Sequence, residues 1–171
     1  RRADERRVRV LREAQAMAKL ADPNVVTIYD VGSLDQRVWI AMEFVQGQTL
    51  SRWRREQARS WREILAVFLR AGEGLAAAHA AGLVHRDFKP DNVMIGDNGR
   101  VQVMDFGLAH SERSIKKDVS NSLSDLRGLD ALRVALTADG ALVGTPQYMA
   151  PEQWEGAKLD ARADQFSFCV A

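Results

Sequence analysis

Two polar residues at the ends of a predicted β-hairpin could together bind a divalent cation. Apolar runs flank Asn98-Gly99, the strongest short-range signal for a hairpin turn, because both residues tolerate positive φ. A two-residue turn at this dipeptide predicts that Asn92 and Asp105 lie opposite each other at the open end of the hairpin. An amide oxygen beside a carboxylate suits a hard cation such as Mg²⁺. Spacing alone leaves a second interpretation open, in which both are ordinary polar residues at strand ends.

A second candidate is a carboxylate within an apolar helical stripe. Glu13 lies among Val10, Ala14, Met17 and Leu20, which recur at helical spacing. The side chain of Glu13 either lies at the edge of the stripe in water or is buried against a cation. An unpaired buried charge costs about 3–5 kcal/mol, so a buried Glu13 requires a cationic partner.

The first third of the chain supplies a helix and a hairpin. Helical periodicity predicts a helix over residues 3–20. Runs rich in Val, Ile, Trp and Phe predict strands at 25–31 and 37–45, with Gly32-Ser33 between them.

Two helices with identifiable caps follow. Thr49 is placed to cap a short polar helix. Ser60 and Glu63 form a capping box, in which each side chain bonds the other residue's backbone N–H, before a long helix that ends near Gly82. Two glycines inside that helix weaken its pattern.

The last third contains a hairpin, a polar loop and a helix. Strands are predicted at 93–95 and 101–104, a long loop over 111–140, and a helix after Ala161. Strands followed mostly by helices predict an α+β fold in two layers or lobes.

Composition indicates an ordered globular protein. The 171 residues are 46% hydrophobic and 27% charged, which excludes a disordered chain. The formal net charge of +1 gives no electrostatic case for nucleic-acid or membrane binding. No apolar stretch is long enough to span a membrane, and the single cysteine, Cys169, excludes an internal disulfide. The arginine pair at the start and the apolar run at the end lead us to expect a piece of a longer protein.

Three motifs then occur in a fixed order. They read HRDFKPDN at 85–92, DFG at 105–107 and GTPQYMAPE at 144–152. In this order they match the catalytic loop, the metal-binding motif and the end of the activation segment of protein kinases. The chain resembles the catalytic domain of the eukaryotic-type (Hanks-type) serine/threonine protein kinases of bacteria, truncated at both ends.

The resemblance implies a fold and an activity. The expected fold is the two-lobed protein-kinase fold, with part of the small lobe and the hinge at 1–45 and the first part of the mostly helical large lobe at 46–171. The implied reaction transfers the γ-phosphoryl group of ATP to Ser or Thr hydroxyls of proteins, including the kinase itself. ATP and Mg²⁺ are the implied cofactors, with Mn²⁺ as a second candidate cation, and the implied location is cytoplasmic. The alternative is a nucleotide-binding pseudokinase or signalling scaffold.

The resemblance also assigns catalytic roles to four residues. Asp87 would orient the substrate hydroxyl and accept its proton, and Lys89 would contact the transferring phosphate of ATP. Asn92 and Asp105 would hold the metal ions. Because all four are present, the resemblance favours an active enzyme over a pseudokinase.

Adenine recognition is implied for residues 42–45. Met42 would be the gatekeeper, and Glu43 and Val45 would bind adenine through a backbone carbonyl and an N–H. Met94 and Met104, expected to face each other across the hairpin, would floor or back the same pocket. Ordinary core packing is the alternative for all three methionines.

Regulatory roles complete the expectations. Arg86 is typical of kinases switched by activation-loop phosphorylation, with Thr137 as the main switch and Asp139 partly supplying negative charge. Thr145, together with Lys89, favours Ser/Thr over Tyr specificity. Glu13 matches the glutamate that pairs with an ATP-binding lysine, which would lie before Arg1 together with the Gly-rich loop. Without these parts, the fragment alone is expected to be inactive.

Overall fold

The elements follow the predicted order along the chain. The computed structural model describes residues 11–12, 14–34, 37–106 and 146–171. Within the N-terminal range, residues 11–12 and 14–17 are helical, inside the helix predicted over 3–20.

The first hairpin lies slightly later in the chain than expected. Strands β1 (Ile28–Leu34) and β2 (Arg37–Met42) pair antiparallel, which confirms the predicted hairpin. Strand β1 runs through the glycine and serine that were expected to form the turn. Val25 and Val26 lie outside β1 because they pair instead with Val103, where the Val26 N–H donates to the Val103 carbonyl at 2.9 Å.

The second sheet carries the candidate site. It has three antiparallel strands in the order β3 (Gly47–Thr49), β4 (Val93–Gly96) and β5 (Val101–Val103). A single turn of 3-10 helix, Pro90–Asn92, leads directly into β4.

The β4–β5 hairpin has a different register from the predicted one. Met94 pairs with Gln102, so Met94 and Met104 do not face each other. Gly99 adopts φ 78°, whereas Asn98 is not in the left-handed region that a two-residue turn requires of it. A three-residue loop, 97–99, therefore replaces the two-residue turn and shifts the register by one residue. Asn92 consequently pairs with Met104, whose N–H donates to the Asn92 carbonyl at 2.9 Å, and Asp105 lies one residue further on.

The predicted helix caps are confirmed. Helix α1 (Leu50–Glu56) begins after Thr49, whose hydroxyl accepts from the Arg52 N–H. Helix α2 (Trp61–Ala80) begins with both hydrogen bonds of the predicted capping box. Two further helices, α3 (Pro151–Trp154) and α4 (Ala161–Val170), follow a 3-10 turn at Pro146–Tyr148.

Helix α2 packs against strand β5 to form the centre of the core. Gly74 allows α2 to approach the backbone at Asn24 closely, because a Cβ at position 74 would overlap the Asn24 carbonyl. The completely buried core side chains include Leu50, Ala71, Ala78, Val93 and Val103. No helix among the described residues is long and apolar enough to cross a membrane.

Candidate active site

The segment 85–92 connects α2 to β4 and is held by a buried carboxylate. Asp164, on α4, is completely buried. Its two carboxylate oxygens accept from the backbone N–H groups of His85 and Arg86, both at 2.7 Å. Because a buried charge requires hydrogen-bonded partners, this arrangement fixes the backbone just before Asp87.

Two further contacts complete this anchor. The Nε2 atom of His79 lies 2.7 Å from Oδ2 of Asp164, and Gln153 Nε2 donates to the Arg86 carbonyl at 2.7 Å. Arg86 itself has φ 67°, an uncommon conformation for a non-glycine residue. The hydrogen bonds on both sides of Arg86 hold its backbone in this conformation.

Sequence reasoning missed Asp164 and found no partner for His79. The available signal was weak: a single carboxylate in a helix between Ala163 and the apolar run that begins at Phe166. The argument made for Glu13, that a carboxylate among apolar residues needs a partner if it is buried, applies to Asp164 as well.

Asp87 and Lys89 form an ion pair at the centre of the segment. Lys89 Nζ donates to Asp87 Oδ2 at 3.1 Å, and each side chain is 18% exposed. The structure thus brings together the two residues expected to act on the substrate hydroxyl and the phosphate. Their partial exposure leaves this carboxylate and ammonium reachable from solvent.

His85 is buried as a neutral ring. Its Nε2 lies 2.9 Å from the Met104 carbonyl, so Nε2 carries the proton and Nδ1 accepts from the Asp87 N–H at 3.3 Å. Burial lowers the pKa of His85, and the nearby Asp164 charge partly opposes this shift. The ring packs against Phe106, with ring centroids 4.6 Å apart.

Asn92 and Asp105 offer oxygen atoms suited to a divalent cation. The Asn92 Nδ2 atom donates to the Asp87 carbonyl at 2.7 Å, which leaves Oδ1 as the acceptor atom of this amide. Asp105 is exposed and has φ 60°. Among the described residues, no group of three or more His, Cys, Asp or Glu side chains could hold a metal by itself. One amide and one carboxylate fit a Mg²⁺ ion that takes further oxygens from water and substrate phosphates.

The predicted adenine-binding segment follows β2. The Glu43 N–H donates to the Thr27 carbonyl at 2.8 Å. Within the described parts of the chain, the Glu43 carbonyl and the Val45 N–H make no backbone hydrogen bond. Met42 and Met104 line one small cavity together with Asp105. Met94 is not part of that lining.

Four predicted residues lie outside the described part of the chain. They are Glu13, Thr137, Asp139 and Thr145.

Comparison with known proteins assigns this arrangement to a family. The family model of the protein kinase domain matches residues 1–171. Among curated proteins, the probable serine/threonine-protein kinase pknA2 of Bifidobacterium longum is 38% identical over 160 residues, covering 93% of this chain and 19% of the relative. The probable serine/threonine-protein kinase SCO3848 of Streptomyces coelicolor is 38% identical over 168 residues, covering 93% of this chain and 22% of the relative.

Solved structures agree with these relatives. The crystal structure of the Mycobacterium tuberculosis PknI kinase domain matches with a TM-score of 0.68 and 29% sequence identity, covering 96% of this chain and 53% of that one. The chain thus spans about a fifth of the length of these curated relatives and about half of the solved kinase domain.

Proposed function

The chain belongs to the protein kinase family, which confirms the predicted α+β kinase fold, and from this premise we propose that it is part of a serine/threonine protein kinase. Residues 1–45 would form part of the small lobe and the hinge, and residues 46–171 the first part of the large lobe. The observation that carries the proposal is the Asp87–Lys89 ion pair, held on a backbone that Asp164 fixes. The relatives' names support Ser/Thr specificity, as do Lys89 and Thr145.

The reaction transfers the γ-phosphoryl group of ATP to a protein hydroxyl. Asp87 orients a Ser or Thr hydroxyl and accepts its proton while the hydroxyl oxygen forms a bond to the γ-phosphorus. The bond from that phosphorus to the β,γ-bridging oxygen breaks, and ADP leaves. Lys89 neutralises the charge that spreads over the transferring oxygens, a role that suits an ammonium 3.1 Å from the Asp87 carboxylate.

A divalent cation belongs at the end of the β4–β5 hairpin. Asn92 and Asp105 would hold it, Asn92 through Oδ1 and Asp105 through its carboxylate. When bound, the cation neutralises phosphate charge. Mg²⁺ suits this pair of oxygen ligands, and Mn²⁺ is the second candidate.

ATP would bind at residues 42–45. The Glu43 carbonyl and the Val45 N–H face the adenine, with Met42 as gatekeeper. Met104, which lines a cavity with Met42, contacts the same base. Met94 would form the floor of the pocket, and Lys89 contacts the phosphates. The absence of backbone partners for these two groups among described residues supports this assignment.

Regulation would act through the activation segment. Phosphorylation of Thr137 adds charge that Arg86 binds, while Asp139 supplies a weaker negative charge. Glu13 would pair with an ATP-binding lysine. Phosphosite mapping of the active enzyme tests the switch, and active enzyme without phosphate at Thr137 would contradict it.

Substitution of Asp87 tests the proposal directly. The full-length protein is incubated with labelled ATP, Mg²⁺ and a Ser/Thr protein acceptor. Asp87→Asn keeps the size and an acceptor for Lys89 but removes the base, so transfer should fall about 10²- to 10⁴-fold. Asp97→Asn is the matched control, because Asp97 is exposed in the hairpin loop and should leave transfer unchanged.

The outcomes separate the two functions considered. Equal transfer by Asp87→Asn and the wild type would contradict the role of Asp87. ATP binding without transfer by the wild type would favour the pseudokinase or scaffold. Label on the kinase itself that disappears in Asp87→Asn would establish autophosphorylation.

The 171-residue chain alone should be inactive. Catalysis in this family depends on positioning and charge stabilisation, and the 171 residues contain no match to the phosphate-binding Gly-rich loop. The same labelling assay on the chain alone tests this expectation, and transfer at the full-length rate would contradict it.

A further inference from the structure

A buried glutamine on the β4–β5 hairpin contacts the predicted adenine-binding segment, residues 42–45. Gln102, on β5, is only 1% exposed. Its Nε2 atom donates to Glu43 Oε2 at 2.9 Å and reaches the Val25 carbonyl at 3.5 Å. A buried amide is unfavourable unless its hydrogen bonds are made, so the position of Gln102 depends on Glu43.

The second oxygen of the same carboxylate is held from the same hairpin. Arg100 Nη1 donates to Glu43 Oε1 at 3.1 Å, and Arg100 Nη2 lies 3.4 Å from the Pro23 carbonyl. The hydrogen bond from Gln102 is the main cause that lowers the pKa of Glu43, with the Arg100 charge adding to it. Glu43, Arg100 and Gln102 are called the hinge clasp below.

The clasp acts on a residue whose backbone is also fixed. The Glu43 N–H donates to the Thr27 carbonyl at 2.8 Å. Arg100 and Gln102 donate to the carboxylate of the same residue. These contacts hold Glu43 at its backbone N–H and at its side chain, next to the carbonyl that is assigned to adenine.

The clasp also connects the two ends of the proposed nucleotide site. Gln102 lies three residues before Asp105 on the same strand and its extension. A shift of β5 would therefore move Gln102 and Asp105 together. Because Gln102 is hydrogen-bonded to Glu43, the same shift would also move the predicted adenine-binding segment.

We propose that the hinge clasp positions the adenine-binding backbone relative to the metal-binding end of the hairpin, so that Arg100 and Gln102 determine nucleotide affinity without touching the nucleotide. This inference rests on the proposed function, because it takes Glu43 and Asp105 as nucleotide-site residues. Arg100 and Gln102 are positioning residues, and they contribute no group to the reaction.

Kinetics of the full-length protein distinguish positioning from general stabilisation. Gln102→Leu removes the amide but keeps an apolar side chain of similar size in the core. We expect the KM for ATP and the Kd for ADP to rise together by about three- to tenfold, the loss of one or two hydrogen bonds, with kcat changed less than about twofold. A purely structural role would lower thermal stability and kcat without this selective change in nucleotide affinity.

Arg100 provides a test that does not disturb the core. Its side chain is 42% exposed, so Arg100→Ala should fold as the wild type does and raise the KM for ATP about two- to threefold. Arg100→Lys keeps a cation near Glu43 and should restore most of the affinity. Arg70→Ala is the matched control, since Arg70 is exposed on α2 and pairs only with Glu73 among the described residues.

Each outcome decides between the two proposals. Folded Gln102→Leu and Arg100→Ala variants with unchanged KM and unchanged ADP affinity would overturn the clasp and leave the kinase function standing. A fall in kcat at constant KM would also overturn it. Wild-type protein that binds ADP but transfers no phosphate would contradict the proposed function, and ADP affinity would still test the clasp. If Gln102→Leu does not fold, the Arg100 pair decides.

Discussion

The His85 ring connects the proposed catalytic loop, residues 85–92, to Met104 and Phe106 beside the proposed metal ligand Asp105. Its Nε2 faces the Met104 carbonyl, its Nδ1 accepts from the Asp87 N–H, and its face packs on Phe106. The neutral ring satisfies both hydrogen bonds, whereas a protonated ring would place a second N–H against the Asp87 N–H. Protonation of this one side chain would therefore disturb both motifs.

Stability should consequently fall when the pH drops below the ordinary histidine pKa. Burial holds the pKa of His85 in the native protein below 6.5. Between that lowered pKa and 6.5, the unfolded chain binds a proton that the native protein does not. The contribution of His85 to the free energy of unfolding should thus decrease as pH falls through about 6.5, by at most about 1.4 kcal/mol per pH unit, and should be constant above that pH. Urea unfolding of the full-length protein between pH 5 and 8 measures this slope.

His85→Asn provides the comparison. The variant should lose this part of the slope. An identical slope in the two proteins would contradict the assignment. NMR signals of the His85 ring that titrate near pH 6.5 would contradict it independently.

At the scale of elements, two glycines in α2 have opposite environments. A Cβ on Gly74 would overlap the Asn24 carbonyl, whereas a Cβ on Gly72 would lie 3.4 Å from the Phe168 ring, an ordinary contact. The sequence pattern treated both glycines alike, as residues that weaken a helix. Only the packing of α2 against the segment at Asn24 separates them.

Alanine substitutions at these positions should therefore have opposite effects. Gly72→Ala should be neutral or stabilise the protein by up to about 1 kcal/mol, because alanine is the better helix former. Gly74→Ala gains the same propensity but forces α2 away from Asn24, so a net loss of about 1–3 kcal/mol is expected. Urea unfolding measures both, and equal effects of the two changes would refute this interpretation.

The elements also show what the sequence could predict. The caps at Thr49 and Ser60 were predictable because the atoms involved lie within three residues of each other. The register of the β4–β5 hairpin was not, because Asn98-Gly99 fits a two-residue turn and a three-residue loop equally well. In this loop the Asn98 Oδ1 accepts from the Arg100 N–H at 3.0 Å, a local bond that the dipeptide alone does not specify.

At the scale of the whole molecule, the contacts that sequence reasoning missed are distant in the chain. Asp87, Lys89 and Asn92 belong to one short motif, and their grouping followed from that motif. Asp164 contacts His85 from 79 residues away, and Gln102 contacts Glu43 from 59 residues away. Their partners depend on how elements pack, which residue types and spacing do not encode locally.

One face of α2 leaves large apolar side chains exposed. Trp61, Leu65 and Leu69 are 63%, 48% and 59% exposed and lie at successive helical turns. Exposed apolar patches favour association, so the 171-residue chain alone should self-associate with rising concentration. Sedimentation velocity over a concentration series measures this association.

Positive charges among these exposed apolar side chains of α2 should reduce the association. The double variant Leu65→Lys with Leu69→Lys should shift the chain toward the monomer, whereas Ala66→Lys, at another exposed position of α2, should not. Equal association of the wild type, the double variant and Ala66→Lys would show that a different surface is responsible.

The anchor at Asp164 has a consequence for biosynthesis. The two backbone N–H groups that it binds, at His85 and Arg86, precede it by 79 and 78 residues. A ribosome adding about 5–20 residues per second needs about 4–16 s to pass from these residues to this aspartate. During that interval the nascent chain contains every residue of the HRD motif but lacks the carboxylate that holds the backbone of His85 and Arg86. Segment 85–92 can therefore reach its final conformation only after helix α4 has left the ribosome.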